Sequence, residues 1–157
     1  MSKFVSTSLC VALLAASVAV NAEGQVIPND LSKCRSGPST LVQISGVKAG
    51  TGKIRVQSYR ATAADWLVKG RWISRIEVPA RAGSMTVCVP LPEAGSYGIA
   101  VRHDVNGNGK TDLSRDGGGM SNNPSINIFN LGKPSYTKTA FAVGNGPRTI
   151  TITMKYM

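Results

Sequence analysis

The chain predicts an all-β fold, a two-sheet antiparallel immunoglobulin-like or prealbumin-like sandwich of about seven strands. Three observations predict it. Apolar and polar residues alternate at period two in seven short runs, glycine-bearing turns separate the runs, and no stretch of helical periodicity is long enough to form a layer.

The first 22 residues stand apart from that pattern. Lys3 precedes an apolar run from Leu9 to Val20 that ends in small residues, which is the layout of a secretory signal peptide cut after Ala22. The run is too short to span a bilayer, and Cys10 lies inside it rather than at its end, so it is not a lipoprotein cysteine. A periplasmic or secreted protein with no membrane span is expected. Residues 23–38, with Pro28, Asn29, Asp30, Gly37 and Pro38, read as an irregular N-terminal arm, and residues 39–157 as one sandwich domain.

Within that domain the strands follow in order. "TLVQISGV" turns Val42 and Ile44 inward, and "GKIRVQSY" turns Ile54 and Val56 inward with Lys53, Arg55 and Gln57 outward. "RWISRIEV" sets Trp72, Ile76 and Val78 on one side. "SMTVCVPL" does the same with Met85, Val87 and Val89, and "GSYGIAVRH" with Tyr97, Ile99 and Val101. "TAFAV" and "RTITITMKY" complete the set, the latter with Ile150, Ile152, Met154 and Tyr156 alternating with threonines and Lys155. The joints "KAGTG", "PARAGS", "LPEAG" and "GNGP" supply turn chemistry, and only "ATAADWLVKG" (61–70) offers a helical turn.

Once the leader is removed, Cys34 and Cys88 are the only cysteines, and in an oxidising compartment one bridge is expected between them. Closing about 54 residues is worth on the order of 4 kcal/mol in the chain-entropy model. The net charge is +10, of which Lys3 in the leader carries one, and the basic residues are scattered from Lys33 to Lys155. Scattered cationic charge favours an envelope or extracellular anionic partner. Nucleic acid is disfavoured, because no aromatic platform accompanies the basic residues and the leader directs the chain out of the cytoplasm.

The chemistry concentrates in "RHDVNGNGKTDLSRDGGGMSNN" (102–123), and the stretch 104–123 reads as one long loop. "DVNGNGKT" approaches a phosphate-binding loop, but Asp104 stands where the first glycine is needed and no helix follows Thr111. As a cation loop the residues fall into place. Asp104, Asn106 and Asn108 take positions 1, 3 and 5, Gly109 position 6, Lys110 position 7 through its backbone carbonyl, and Asp112 position 9. Alternate side chains then carry hard oxygens toward one point, as calcium requires. Position 12 is Arg115 rather than glutamate, so the last oxygen falls to Asp116, one residue late, or to Ser121, Asn122 or Asn123. The competing reading is turn chemistry, with the aspartates bonded to their own backbone.

"GSYGIAVRHDVNGNGKTDLSRDGGGMSNN", "KPSYTKTAFAV" and "TITITMKY" together resemble the bacterial exported family called domain of unknown function 2141. The likeness spans about residues 40–157 and is most specific in the HDxNxNGKxD and SNN elements. It implies a secreted immunoglobulin-like or prealbumin-like sandwich without an established activity. Relatives often carry a glutamate before the G-[FM]-S-N-N element, where this chain reads "SRDGGGMSNN", and Asp116 is then the substitute ligand.

The function expected from these observations is a noncatalytic exported module with a calcium-ordered loop and a basic surface. The alternatives are a hydrolytic or other enzyme using His103 as acid or base beside Asp104, and a carbohydrate-binding module using Trp66, Trp72, Tyr59 or Tyr136 as stacking platforms. His103 continues the inward series Tyr97, Ile99, Val101, which favours a packed histidine over a catalyst.

Overall fold

The computed structural model describes residues 24–130 and 132–157. The expected signal peptide, with Lys3 and Cys10, lies outside the described residues. The described chain is all-β and forms two sheets from ten strands. These are β1 (Gln25–Ile27), β2 (Ser39–Val47), β3 (Lys53–Arg60), β4 (Ser74–Pro79), β5 (Gly83–Pro90), β6 (Gly95–Asp104), β7 (Gly117–Met120), β8 (Phe141–Val143), β9 (Pro147–Thr153) and β10 (Lys155–Tyr156). The larger sheet runs β1-β4-β3-β6-β7-β10 with β8 also on β6, and the smaller runs β5-β2-β9. Among the described residues no helix is long and apolar enough to cross a membrane.

All seven predicted runs form strands, and the differences lie at their margins. The last run breaks into β9 and β10 at Met154, whose side chain is buried in the core while its backbone N–H bonds Ser45 O at 2.8 Å. Two strands escaped the periodicity. Strand β1 is three residues of the supposedly irregular arm, and β7 is "GGGM", which has almost no side chains to alternate. The sandwich is mixed rather than purely antiparallel, because β1 pairs parallel with β4 and β9 parallel with β2. The segment 61–70 is a series of turns, and the four-residue helix α1 lies at Tyr136–Thr139 instead.

The inter-sheet core follows the predicted alternation. Val42, Ile44, Ile54, Val56, Ile76, Val87, Val89, Tyr97, Ile99, Val101 and Ile152 are buried together between the sheets. At about 25 cal/mol per Å² of apolar area these side chains supply the main driving force for closing the sandwich. Trp72 departs from the expected side. The parity shifts before β4: Ile73 packs on the inter-sheet core, and Trp72 joins a second cluster on the opposite face with Tyr59, Trp66 and Met120. Gly98 permits that cluster, since a Cβ there would collide with the Trp66 ring.

The arm ties the two sheets. After adding β1 to the larger sheet, it sends Asn29 to β5 of the smaller one, where its side chain accepts from Cys88 N (3.0 Å) and donates to Thr86 O (3.2 Å). A 3-10 turn at Leu31–Cys34, capped by Asp30, then brings Cys34 into a disulfide with Cys88 across a Cα separation of 5.8 Å.

Candidate functional site: the 104–116 loop and the face beside it

Strand β6 positions the site. Its C-terminal residues alternate, so His103 enters the inter-sheet core while Arg102 and Asp104 face the other way, toward the loop. The loop proper is 105–116, because the second half of the expected 104–123 loop pairs as β7 with Ala100–His103.

Within 104–116 the predicted residues come together. Asp104 is buried and accepts from Gly109 N (2.8 Å) and Asn108 N (3.2 Å), and Arg102 stands 3.5 Å away. Asn106 Oδ1 accepts from Asn108 N, and Asn108 Oδ1 from Lys110 N at 2.8 Å, so each alternate side chain turns the backbone by one step. Gly109 makes the turn at φ +76, in the left-handed region that favours glycine. Asp112 Oδ2 gathers both asparagine amides, Asn106 Nδ2 at 2.7 Å and Asn108 Nδ2 at 2.8 Å. Those two bonds hold the Asp112 carboxyl below its usual range, with Arg115 and Lys110 adding to the effect. Asp116, also buried, closes the loop by accepting from Val105 N (3.1 Å) and Asp112 N (2.9 Å). Arg102 clamps the outside, donating to Thr111 Oγ1 (2.9 Å) and Gly109 O (3.0 Å). Among the described residues no group of three or more His, Cys, Asp or Glu side chains is arranged to hold a metal ion, and the converging atoms are two asparagine amides around one carboxylate.

Ser121, Asn122 and Asn123 do not reach this loop. Buried Ser121 bridges the junction of β6, β7 and β8, accepting from Ile99 N (3.0 Å) and donating to Thr139 O (2.6 Å). Asn122 donates to Ala140 O at 2.8 Å, while Asn123 accepts from Thr153 N (2.8 Å) and donates to Thr151 O (2.9 Å) on β9. The asparagines have φ +63 and +48, a region asparagine enters at lower cost than most residues. The SNN element is therefore a staple between the two sheets. Its signal in the sequence was the paired asparagines after Ser121, which composition alone does not separate from ligands.

His103 is fully buried, with Nδ1 2.7 Å from the Tyr156 hydroxyl and Nε2 2.8 Å from Thr51 O. A carbonyl can only accept, so Nε2 carries the proton, and Nδ1 accepts from Tyr156, whose oxygen receives Lys48 N at 3.0 Å. Burial pushes the Tyr156 hydroxyl up from its ordinary value. The structure does not bring the His103 ring and the Asp104 carboxylate together, since consecutive strand residues face opposite ways. Of the four aromatic residues, Tyr59 and Trp66 are buried edge to face, Trp66 Nε1 donates to Pro134 O, Tyr136 packs against them, and Arg75 lies 4.4 Å over the Trp72 ring.

Sequence reasoning missed how three arginines gather on this outer face. Register places Arg55 opposite both Arg102 and Glu77, and Gln57 opposite Arg75. Arg55 is paired with Glu77 at 2.7 Å, but Arg75 makes no ion pair or side-chain hydrogen bond among the described residues. Burial, reinforced by nearby Arg55, lowers the pKa of both Arg75 and Arg102 from the usual arginine value.

The fold and this loop define a class: a small disulfide-bridged β-sandwich module that presents an oxygen-rich loop and a cationic face on one side. The chain belongs to the domain of unknown function 2141 family, uncharacterized proteins conserved in bacteria, whose family model matches residues 42–151. No curated protein and no solved structure matches the chain.

Proposed function

We propose that the protein is a noncatalytic, exported binding module of the bacterial envelope or extracellular space, an immunoglobulin-like or prealbumin-like sandwich whose 104–116 loop is ordered by calcium and whose basic face receives an anionic partner. The observation that carries the calcium reading is the convergence of Asn106, Asn108 and Asp112 on one point, flanked by the Asp104 and Asp116 carboxylates. Rotating the asparagine amides exchanges nitrogen for oxygen at that point, releases the bonds that Oδ1 accepts from Asn108 N and Lys110 N, and leaves a set of hard oxygens of the kind calcium takes, with the Lys110 carbonyl as a further ligand. The leader-like residues 1–22 and the Cys34–Cys88 bridge support export.

Arg115 in place of glutamate weakens the site, and a Kd on the order of 0.1 to 1 mM is expected, in the range of extracellular modules. Saturating calcium about a hundredfold above Kd stabilises by about 2.7 kcal/mol. Calorimetric titration with calcium and with magnesium tests this. Binding of calcium with a much weaker magnesium response is expected, and no heat with about 10 mM calcium leaves the loop as turn chemistry alone.

A further inference from the structure

The outer face of the larger sheet is crowned by the segments 61–72, 105–116, 121–130 and 132–136, and between them runs a groove with two lobes. One lobe, of about 250 Å³, is mostly apolar, lined by Leu67, Ala100, Leu113, Met120, Ile126 and Met157, with Asp116, Lys133 and Lys155 also on its lining. The other, of about 490 Å³, holds Lys69, Arg75, Arg102 and Lys110 and no acidic residue. Gln57, Leu67, Arg102 and Thr111 line both, so the lobes adjoin. In the cationic lobe Arg102 is already bonded to Thr111 and Gly109, whereas Arg75 makes no ion pair or side-chain hydrogen bond among the described residues, which leaves its guanidinium to take an acceptor. Leu67, at the join, is held at φ +56, where a branched side chain is strained, and such strain gathers at ligand-contacting positions.

We infer that this groove binds a single-chain aliphatic carboxylate, its hydrocarbon tail in the apolar lobe and its head group on the Arg75 guanidinium group. A planar guanidinium matches a carboxylate through paired, charge-assisted hydrogen bonds, which a solvated lysine surface does not offer. The apolar lobe lies just under the usual range for ligand pockets, about 300–1,000 Å³, so it selects a medium-length chain over a multi-chain lipid. This inference rests on the reading of the chain as a binding module for anionic partners, and it names the ligand.

Decanoate is the probe, titrated calorimetrically into the full mature chain, with decyltrimethylammonium and decyl phosphate as comparison ligands. Decanoate is expected to bind with a Kd on the order of 0.1 mM and the cation not at all. Gly118 gives a clean block. A Cβ added there meets only Ile126 Cδ1 at 4.0 Å, so Gly118→Leu fills the apolar lobe without a backbone clash. Both Gly118→Leu and Arg75→Met should weaken decanoate at least about tenfold while far-ultraviolet dichroism stays unchanged. Absence of binding at about 1 mM, equal binding of the cationic amphiphile, or full affinity in folded Gly118→Leu would each overturn the inference. Tighter binding of decyl phosphate than of decanoate would overturn the carboxylate assignment. The titration is run in calcium and in chelator. Decanoate binding that ignores calcium counts against the ordered loop alone, and calcium binding without decanoate binding counts against the groove alone.

Discussion

Residues 104–116 and 121–123 have nearly the same chemistry, asparagine, aspartate, serine and glycine, yet they differ in where their hydrogen bonds go. In 121–123 the partners are distant: Ile99, Thr139, Ala140, Thr151 and Thr153, contributed by other strands or by the turn before β8. In 104–116 the carboxylates and amides bond almost entirely to one another and to their own backbone, within 11 residues. The first region is therefore part of the fold and shares its stability. The second orders itself, and because it buries few apolar groups, a ligand has leverage over it.

Breaking the staple should produce the largest effect. Ser121→Ala leaves the buried Ile99 N–H and Thr139 carbonyl without their partner, and a loss of about 2–4 kcal/mol is expected, seen as a markedly lower midpoint in urea unfolding. Asn123→Ala removes two bonds to β9 from a more exposed position and should cost about 1–2 kcal/mol, with Asn123→Gly less damaging because glycine accepts the positive φ. A staple variant that melts like the native protein would erase the distinction between the two regions.

Changes in the loop should leave the fold nearly untouched and remove the calcium response. Asp112→Ala deletes the point on which Asn106 and Asn108 converge, yet those amides are exposed and can turn to water. Its calcium-free melting temperature is expected within about 2 °C of native, with no rise on adding millimolar calcium. Asp104→Ala is the coarser probe, since it strips acceptors from Gly109 N and Asn108 N and a counter-charge from Arg102. The smallest effect concerns pH. The Asp112 carboxyl is held below its ordinary value of 3.8, so its contribution is complete above that value and is lost as pH falls through the lower folded-state value. The calcium-dependent melting shift should fade over the same acidic window, and Asp112→Asn should remove that part of the pH dependence.

Much of this was legible in the sequence where side chains alternate. Val42, Ile44, Ile54, Val56, Ile99 and Ile152 announce a two-layer core because every second residue is branched and apolar. Strand β7 was illegible for the opposite reason: "GGGM" carries no pattern, and its place is set by backbone pairing to β6 and by the close approach of Tyr156 and Ile152 to Gly117 and Gly119. Trp72 misled because a parity rule assumes an unbroken strand, and the chain shifts register before Ser74. Within the candidate site, Asn106 and Asn108 meet at Asp112 while Asp104 accepts hydrogen bonds only from backbone N–H groups, a division that even spacing does not reveal. The roles of Ser121, Asn122 and Asn123 did not follow, because composition names donors and acceptors but not their partners.

Residue-resolved hydrogen exchange of the protein in calcium and in chelator tests the central distinction most directly. The amides of Val105, Asn108, Gly109 and Asp112 donate within the loop, whereas those of Ile99 and Thr153 donate to the staple. The account predicts that calcium slows the first set about tenfold or more and leaves the second set, already protected by the fold, unchanged. Loop amides that exchange at the same rate in calcium and chelator, or a calcium effect spread equally over both sets, would contradict it.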